Sequence, residues 1–200
     1  TSDSSFTWKA MELKINSELA NNIGNFINRA MKFAHKNWPE GISSQTFNAF
    51  YNDHQKGVEE WIREYHELLD SYQIKKGQEH LMSLGSKVNL FITEKAPWTQ
   101  FKTDPEAAKE TIAVSAAYVL VLGAFFAPYL PQLSSSILSY FGLNTDSEIV
   151  NKIYQGDLSA LKNFFSKDFK LAVEPTGLVP KIDTKLIDEL NEKLQAKKTN

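Results

Sequence analysis

The stretch "TIAVSAAYVLVLGAFFAPYLPQL", Thr111 to Leu133, carries no charged residue, and no other feature constrains the fold of this chain so strongly. It reads as a helix that is apolar on every side. Such a helix either crosses a membrane or lies at the centre of a bundle. Its uninterrupted apolar run stops at Pro128 and Pro131, short of the roughly 20 residues a span requires. No second segment of this kind and no basic flank accompanies it. The expectation is a buried central helix, with no membrane as partner.

A core helix needs enough chain to wrap it. The 200 residues suit one domain, or one domain with an appendage. The apolar (42%) and charged (23%) fractions are those of an ordinary globular protein, which gives no reason to treat the chain as disordered. Cysteine is absent, which excludes a disulfide framework, a thiolate zinc site and a thiol nucleophile. No glycosylation sequon or signal peptide is read, so the cytoplasm is the expected location. The net charge of −2 argues against a generic polybasic binder, and no DNA is expected as a partner. Any RNA contact would be a local patch.

Helix follows helix along the chain. The opening segment, through Trp38, repeats apolar residues at Leu19, Ile23, Phe26, Ala30 and Phe33, and "WPEG" stops it. A second helix is predicted over roughly Gln45 to Tyr72, with Asp53, Glu59, Glu60, Glu64 and Glu67 on its outer side. A third runs from Ile74 to Thr93, before Pro97. Asp104 followed by Pro105 is an N-cap and first-turn pair that launches the apolar fourth helix, to about Ala127. A fifth follows Pro131 and ends near Gly142. Shorter helices are read over Ser147–Gln155 and Leu158–Phe165. "FKLAVEPTGLVPKID" reads as extended, and Thr184 opens a final polar helix. The predicted class is all-α, an antiparallel helical bundle with short connections. The expected division is a helical domain over residues 1–182 and a polar C-terminal helix or tail over 183–200.

Enzyme constellations are missing from the sequence. Di-iron bundles need Glu-x-x-His pairs, but the residues three before His35, His54, His66 and His80 are Lys32, Tyr51, Arg63 and Gly77. No zinc-protease motif, P-loop or dinucleotide fingerprint is present. No catalytic residue and no metal ligand is predicted, and His66 reads as a surface histidine.

Two features remain. "NSELANNIGNFINRAMKF" holds Asn16, Asn21, Asn22, Asn25 and Asn28 with Gly24 among them, all poor helix formers. At about 100° per residue, Asn21, Asn25 and Arg29 form a polar stripe roughly 120° from the apolar one. Carboxamides and guanidinium groups read bases through paired hydrogen bonds, and Gly24 would let a backbone or base approach. Asn22 and Asn28 fall off the stripe. The bland alternative is a polar flank that happens to be rich in amides. The second feature is "NLFITEKAPWTQF". Pro97 fixes the chain direction just before Trp98, and a tryptophan on a loop can stack on an unpaired base. The alternative is that Trp98 plugs the end of the bundle.

These residues carry a family resemblance. "LANNIGNFINR" followed by "KAPW" resembles the anticodon-binding domain of methionyl-tRNA synthetases, which are class I aminoacyl-tRNA synthetases. "KTDPEAAKETI", "VLGAFFAPYLPQLSSSIL" and "GLVPKID" are similar to further family segments, with Val179 where phenylalanine is usual. The opening looks most like the eukaryotic cytosolic branch. The resemblance implies a helical domain that binds the CAU anticodon loop of methionine tRNA. It implies that Trp98 stacks on an anticodon base and that Asn25 and Arg29 read the first anticodon cytosine. Asn21 would support them, and Asn89 and Pro97 would line the same region. The signatures of the adenylating domain do not occur in this sequence. The expectation is therefore a fragment that binds tRNA without catalysis and without a cofactor of its own. ATP and Mg would be used by the catalytic domain of the parent ligase, which is a further expected partner. Two rival readings are the corresponding domain of another class I synthetase and a helical protein-interaction module anchored by Trp98.

Overall fold

Asp104 and Pro105 start the central helix as the sequence predicts. The Asp104 carboxylate accepts a hydrogen bond from the Ala107 N–H at 3.0 Å, and Pro105 fills the first turn of α7 (Pro105–Phe126). This satisfies a donor that has no partner within the helix. The structure, a computed structural model, describes residues 6–198, with side chains through residue 193. From Thr111 to Phe126 every residue of α7 except Tyr118 is buried, and 83% of its most apolar window lies inside the protein. Other helices, not lipid, cover its apolar surface. Gly123 lets α8 (Pro131–Ser139) lie close: a Cβ there would stand 2.9 Å from Leu138 Cδ2 and 3.0 Å from Ile137 Cγ2.

Around α7 the chain begins with one continuous helical rod. It consists of α1 (Trp8–Lys14), a π-helical stretch (Ile15–Gly24) and α2 (Asn25–Asn37). A 3-10 turn (Ser44–Phe47), α3 (Asn48–Asp53), α4 (Gln55–Asp70), α5 (Ile74–Lys95) and α6 (Pro97–Thr103) precede α7. After α8 come α9 (Glu148–Tyr154), α10 (Ser159–Phe164) and α11 (Thr184–Lys198). Among the described residues there is no strand, only an isolated antiparallel bridge between Ile42 and Phe169. The class is all-α, as predicted. α4 and α5 form an antiparallel hairpin clasped by two reciprocal bonds. Trp61 Nε1 donates to His80 O at 3.2 Å, and His80 Nε2 donates to Trp61 O at 3.0 Å.

Three sequence expectations need correction. The predicted second helix is broken at His54 (φ −122°, ψ −30°), where the ring turns in among Phe50, Phe91 and Tyr118 and bonds the Tyr118 hydroxyl at 3.1 Å. The third helix runs on to Lys95, because Ala96 takes a left-handed conformation (φ 44°) and ends it there. His66 is half-buried and its Nε2 donates to Tyr154 O at 2.7 Å, tying α4 to α9.

The opening rod is held on two sides. On one it runs parallel to α5, with Asn22 Nδ2 donating to Ser86 Oγ (2.8 Å) and Arg29 Nη1 to Thr93 Oγ1 (3.1 Å). Beside the first of these bonds the fully buried Ile23 occupies the space a side chain at Gly85 would fill: a Cβ there would fall 1.8 Å from Ile23 Cδ1. On the other side the segment after Phe169 runs back along the rod. Val179 covers Gly24, the Asn16 amide pairs with both backbone groups of Ile182 (2.8 and 3.0 Å), and Thr184 Oγ1 donates to Glu12 at 2.8 Å. α11 continues this contact through the buried Ile187.

The Ile23–Gly85 contact yields a prediction. Gly85→Ala should destabilise the fold by about 1–3 kcal/mol through overpacking, even though alanine is the better helix former. Ile23→Val removes Cδ1 and alone should cost about 0.5–1.5 kcal/mol. The double variant, followed by denaturant titration, should lose clearly less than the sum. Additive losses would mean that Ile23 and Gly85 are not in contact.

Candidate nucleic-acid interface

Ala96 sets the geometry. Its left-handed conformation turns the chain sharply out of α5, and Pro97 restarts it as the first residue of α6. Pro97 is buried. Trp98 therefore stands in the first turn of a helix, not on a loop as the sequence suggested. It is half-buried and packs against the core on one side. The guanidinium carbon of Arg29 lies 4.2 Å from its ring centroid. A cation over an indole contributes about 0.5–2 kcal/mol, depending on desolvation. Burial lowers the Arg29 pKa from its ordinary value, and the group stays charged at neutral pH.

Thr93 fixes this arrangement. Its hydroxyl accepts from Arg29 Nη1 and donates to Asn89 O at 2.7 Å, one turn earlier on α5. The fork of Arg29 is thus tethered at one nitrogen, and its other N–H groups have no protein partner among the described residues. Asn89 is half-buried, and its side-chain oxygen is buried without a partner. An unpaired buried acceptor of this kind costs about 1–3 kcal/mol unless a donor reaches it. Asn25 lies one turn before Arg29 on α2 and is exposed. Asn21 is exposed too, but it sits in the π-helical stretch, where the N–H of Asn25 bonds back to Ala20 O. The wider turn rotates Asn21 off the α-helical register assumed for the stripe.

The structure thus brings Arg29, Trp98, Pro97 and Asn89 to one end of the seam between α2 and α5, with Asn25 beside them. Two of the other asparagines in this stretch serve the fold. Asn16 and Asn22 bond within the protein, and Asn28 has a buried carbonyl oxygen with no partner. Gly24 is buried beneath Val179, so it admits the C-terminal segment and not a ligand. Sequence reasoning missed Thr93; its only signal was the i, i+4 spacing from Asn89. Charge is divided between the two faces. Lys32 and Lys36 are exposed on α2 beyond Arg29, whereas Glu59, Glu60, Glu64 and Glu67 are exposed on α4.

Comparison with known proteins gives consistent matches. The family model described as the anticodon binding domain of methionyl tRNA ligase matches residues 47–199, and a model of class I tRNA synthetases (M) matches residues 1–31. A probable methionine–tRNA ligase of Oryza sativa is 27% identical over 96% of this chain and 25% of its own length. The methionine–tRNA ligase of Methanosarcina acetivorans is 31% identical over 96% of this chain and 25% of its own. The chain thus spans about a quarter of the length of these relatives. The crystal structure of free methionyl-tRNA synthetase from Mycobacterium tuberculosis superposes with a TM-score of 0.73 at 18% identity. It covers 91% of this chain and 36% of that protein, and it establishes the shared helical fold.

The half-burial of Trp98 leads to a second prediction. Trp98→Ala removes both core packing and the seat of Arg29, and should lower stability by about 1–3 kcal/mol. Trp98→Phe should lose less. Chemical denaturation measures both, and no loss in either variant would show that the ring contributes nothing to the fold.

Proposed function

Because the chain belongs to the anticodon-binding-domain family of methionyl-tRNA ligase, we propose that it binds the anticodon loop of methionine tRNA and reads its CAU triplet on the α2–α6 face. The observation that carries this reading is the Arg29 guanidinium, seated on the Trp98 ring and tethered by Thr93 at one nitrogen only. Two flat groups in contact, one of them charged, suit unpaired bases that stack on aromatic or guanidinium planes. Arg29 has donors only, so it addresses acceptors. Cytosine presents two adjacent acceptors on its pairing edge, whereas uracil carries an N–H at one of those positions. This donor-only chemistry supports cytosine over uracil as the first anticodon base. Asn25, with both a donor and an acceptor, orients that base or the neighbouring backbone; Asn21, rotated away by the π turn, takes no part in this contact. Asn89 offers its unpaired oxygen to a donor once the loop is in place.

In this reading the whole ligase joins methionine to tRNA in the cytoplasm. The catalytic domain, with ATP and Mg, supplies the chemistry. This domain supplies recognition. RNA approaches the face that carries Arg29, Lys32 and Lys36 and avoids the acidic outer face of α4.

The test compares two RNA hairpins, one with a CAU loop and one with its first loop base changed to U. Arg29→Ala should weaken CAU binding by about 1–3 kcal/mol and remove most of the preference between hairpins. Arg29→Lys should not restore it, because an ammonium lacks the planar fork. Equal loss on both hairpins would make Arg29 a backbone contact, and no loss on either would remove it from the site.

A further inference from the structure

A second cleft opens on the opposite flank of α5. It has a volume of about 180 Å³ and lies between α4, α5 and α7. His54, Phe91 and Tyr118 wall it, Trp61 and Val88 lie at its base, and Lys87 stands exposed at its rim. The His54 ring meets Phe91 at 5.2 Å and Tyr118 at 5.6 Å, both nearly edge-on. Burial raises the Tyr118 hydroxyl to about 12 and lowers the His54 pKa, an effect that Asp53 opposes and Lys95 reinforces, both more weakly. Tyr118 then keeps its proton, able to donate or accept, and His54 is a neutral ring. If Tyr118 donates to Nδ1, Nε2 carries the proton. Nε2 has no protein partner among the described residues and is not sealed from solvent. Gly57 leaves the entrance open, because a Cβ built there meets nothing within 4 Å.

We propose that this cleft is a base subsite that receives a second unpaired base from the RNA loop read at Arg29 and Trp98. The proposal rests on the anticodon-loop reading and adds a place to it. Aromatic walls, one free ring nitrogen and the Lys87 ammonium on the α5 side, across the cleft from Asp53, suit a planar heterocycle whose phosphodiester lies on the α5 side. The distance is short. Thr93 faces α2 and Phe91 faces the cleft, on opposite flanks of a helix about 10–12 Å across. Between them Leu90 is 57% exposed, an apolar ridge over which a loop can pass. The cleft therefore lies within a few nucleotides of the Arg29–Trp98 pair.

The test uses the CAU hairpin carrying 2-aminopurine at one loop position at a time. Gly57→Leu fills the cleft from α4 and, as a better helix former, should not cost the fold. One loop position should be quenched by the wild-type chain and released in Gly57→Leu, which should bind the hairpin roughly tenfold more weakly, the scale of one lost base stack. Gly57→Ala, with far less bulk, should lose clearly less. Unchanged binding and quenching in Gly57→Leu would overturn the cleft assignment while leaving the Arg29 site intact. Failure of the wild-type chain to bind the hairpin would overturn both. Quenching of free 2-aminopurine nucleotide in the cleft without RNA would mark a mononucleotide site instead and also overturn the assignment.

Discussion

Gly85 has no side chain, and the space this leaves is filled by Ile23. That contact lets the opening rod lie against α5 closely enough for Asn22 to reach Ser86 and Arg29 to reach Thr93. The position of Arg29 over Trp98 follows from it, because Trp98 belongs to α6, which starts immediately after α5 ends. A rod displaced outward by a methyl group would carry Arg29 away from the indole. The site is therefore set by the packing of two helices as much as by the residues that form it.

The π-helical stretch is part of the same design. It spans the residues where α5 and the returning C-terminal segment both press on the rod. The extra width of a π turn reorients the rod between its two contact faces, which ordinary α periodicity does not do. Asn16 and Gly24 adapt the rod to the C-terminal segment, and Asn22 adapts it to α5. Poor helix formers are concentrated here for two reasons. Some are needed to fit neighbouring chain, and others stand free on the outer face.

The helical class was legible because the apolar pattern from Thr111 to Phe126 admits few alternatives, and Asp104-Pro105 marked its start. The break at His54 was not, because it depends on a bond to Tyr118, far away in sequence. Asn25, Arg29 and Trp98 could be named from spacing and resemblance. That Arg29 sits on Trp98 could not, since no periodicity links two residues on different helices. The role of Gly24 was misread, and that of Asn16 could not be read, for the same reason: their partners, Val179 and Ile182, lie near the other end of the chain. Asn21 was misplaced because α-helical counting fails across a π turn.

The central claim is that an RNA loop docks on the Arg29–Trp98 pair at the seam of α2 and α5. A crystal structure of the chain with a CAU hairpin tests it most directly. The account predicts an unpaired base stacked on the Trp98 ring or on the Arg29 guanidinium, with Arg29 N–H groups directed at the acceptor edge of the first anticodon base. A loop bound on the acidic side of α4, or one that leaves the Arg29–Trp98 pair untouched, would contradict it.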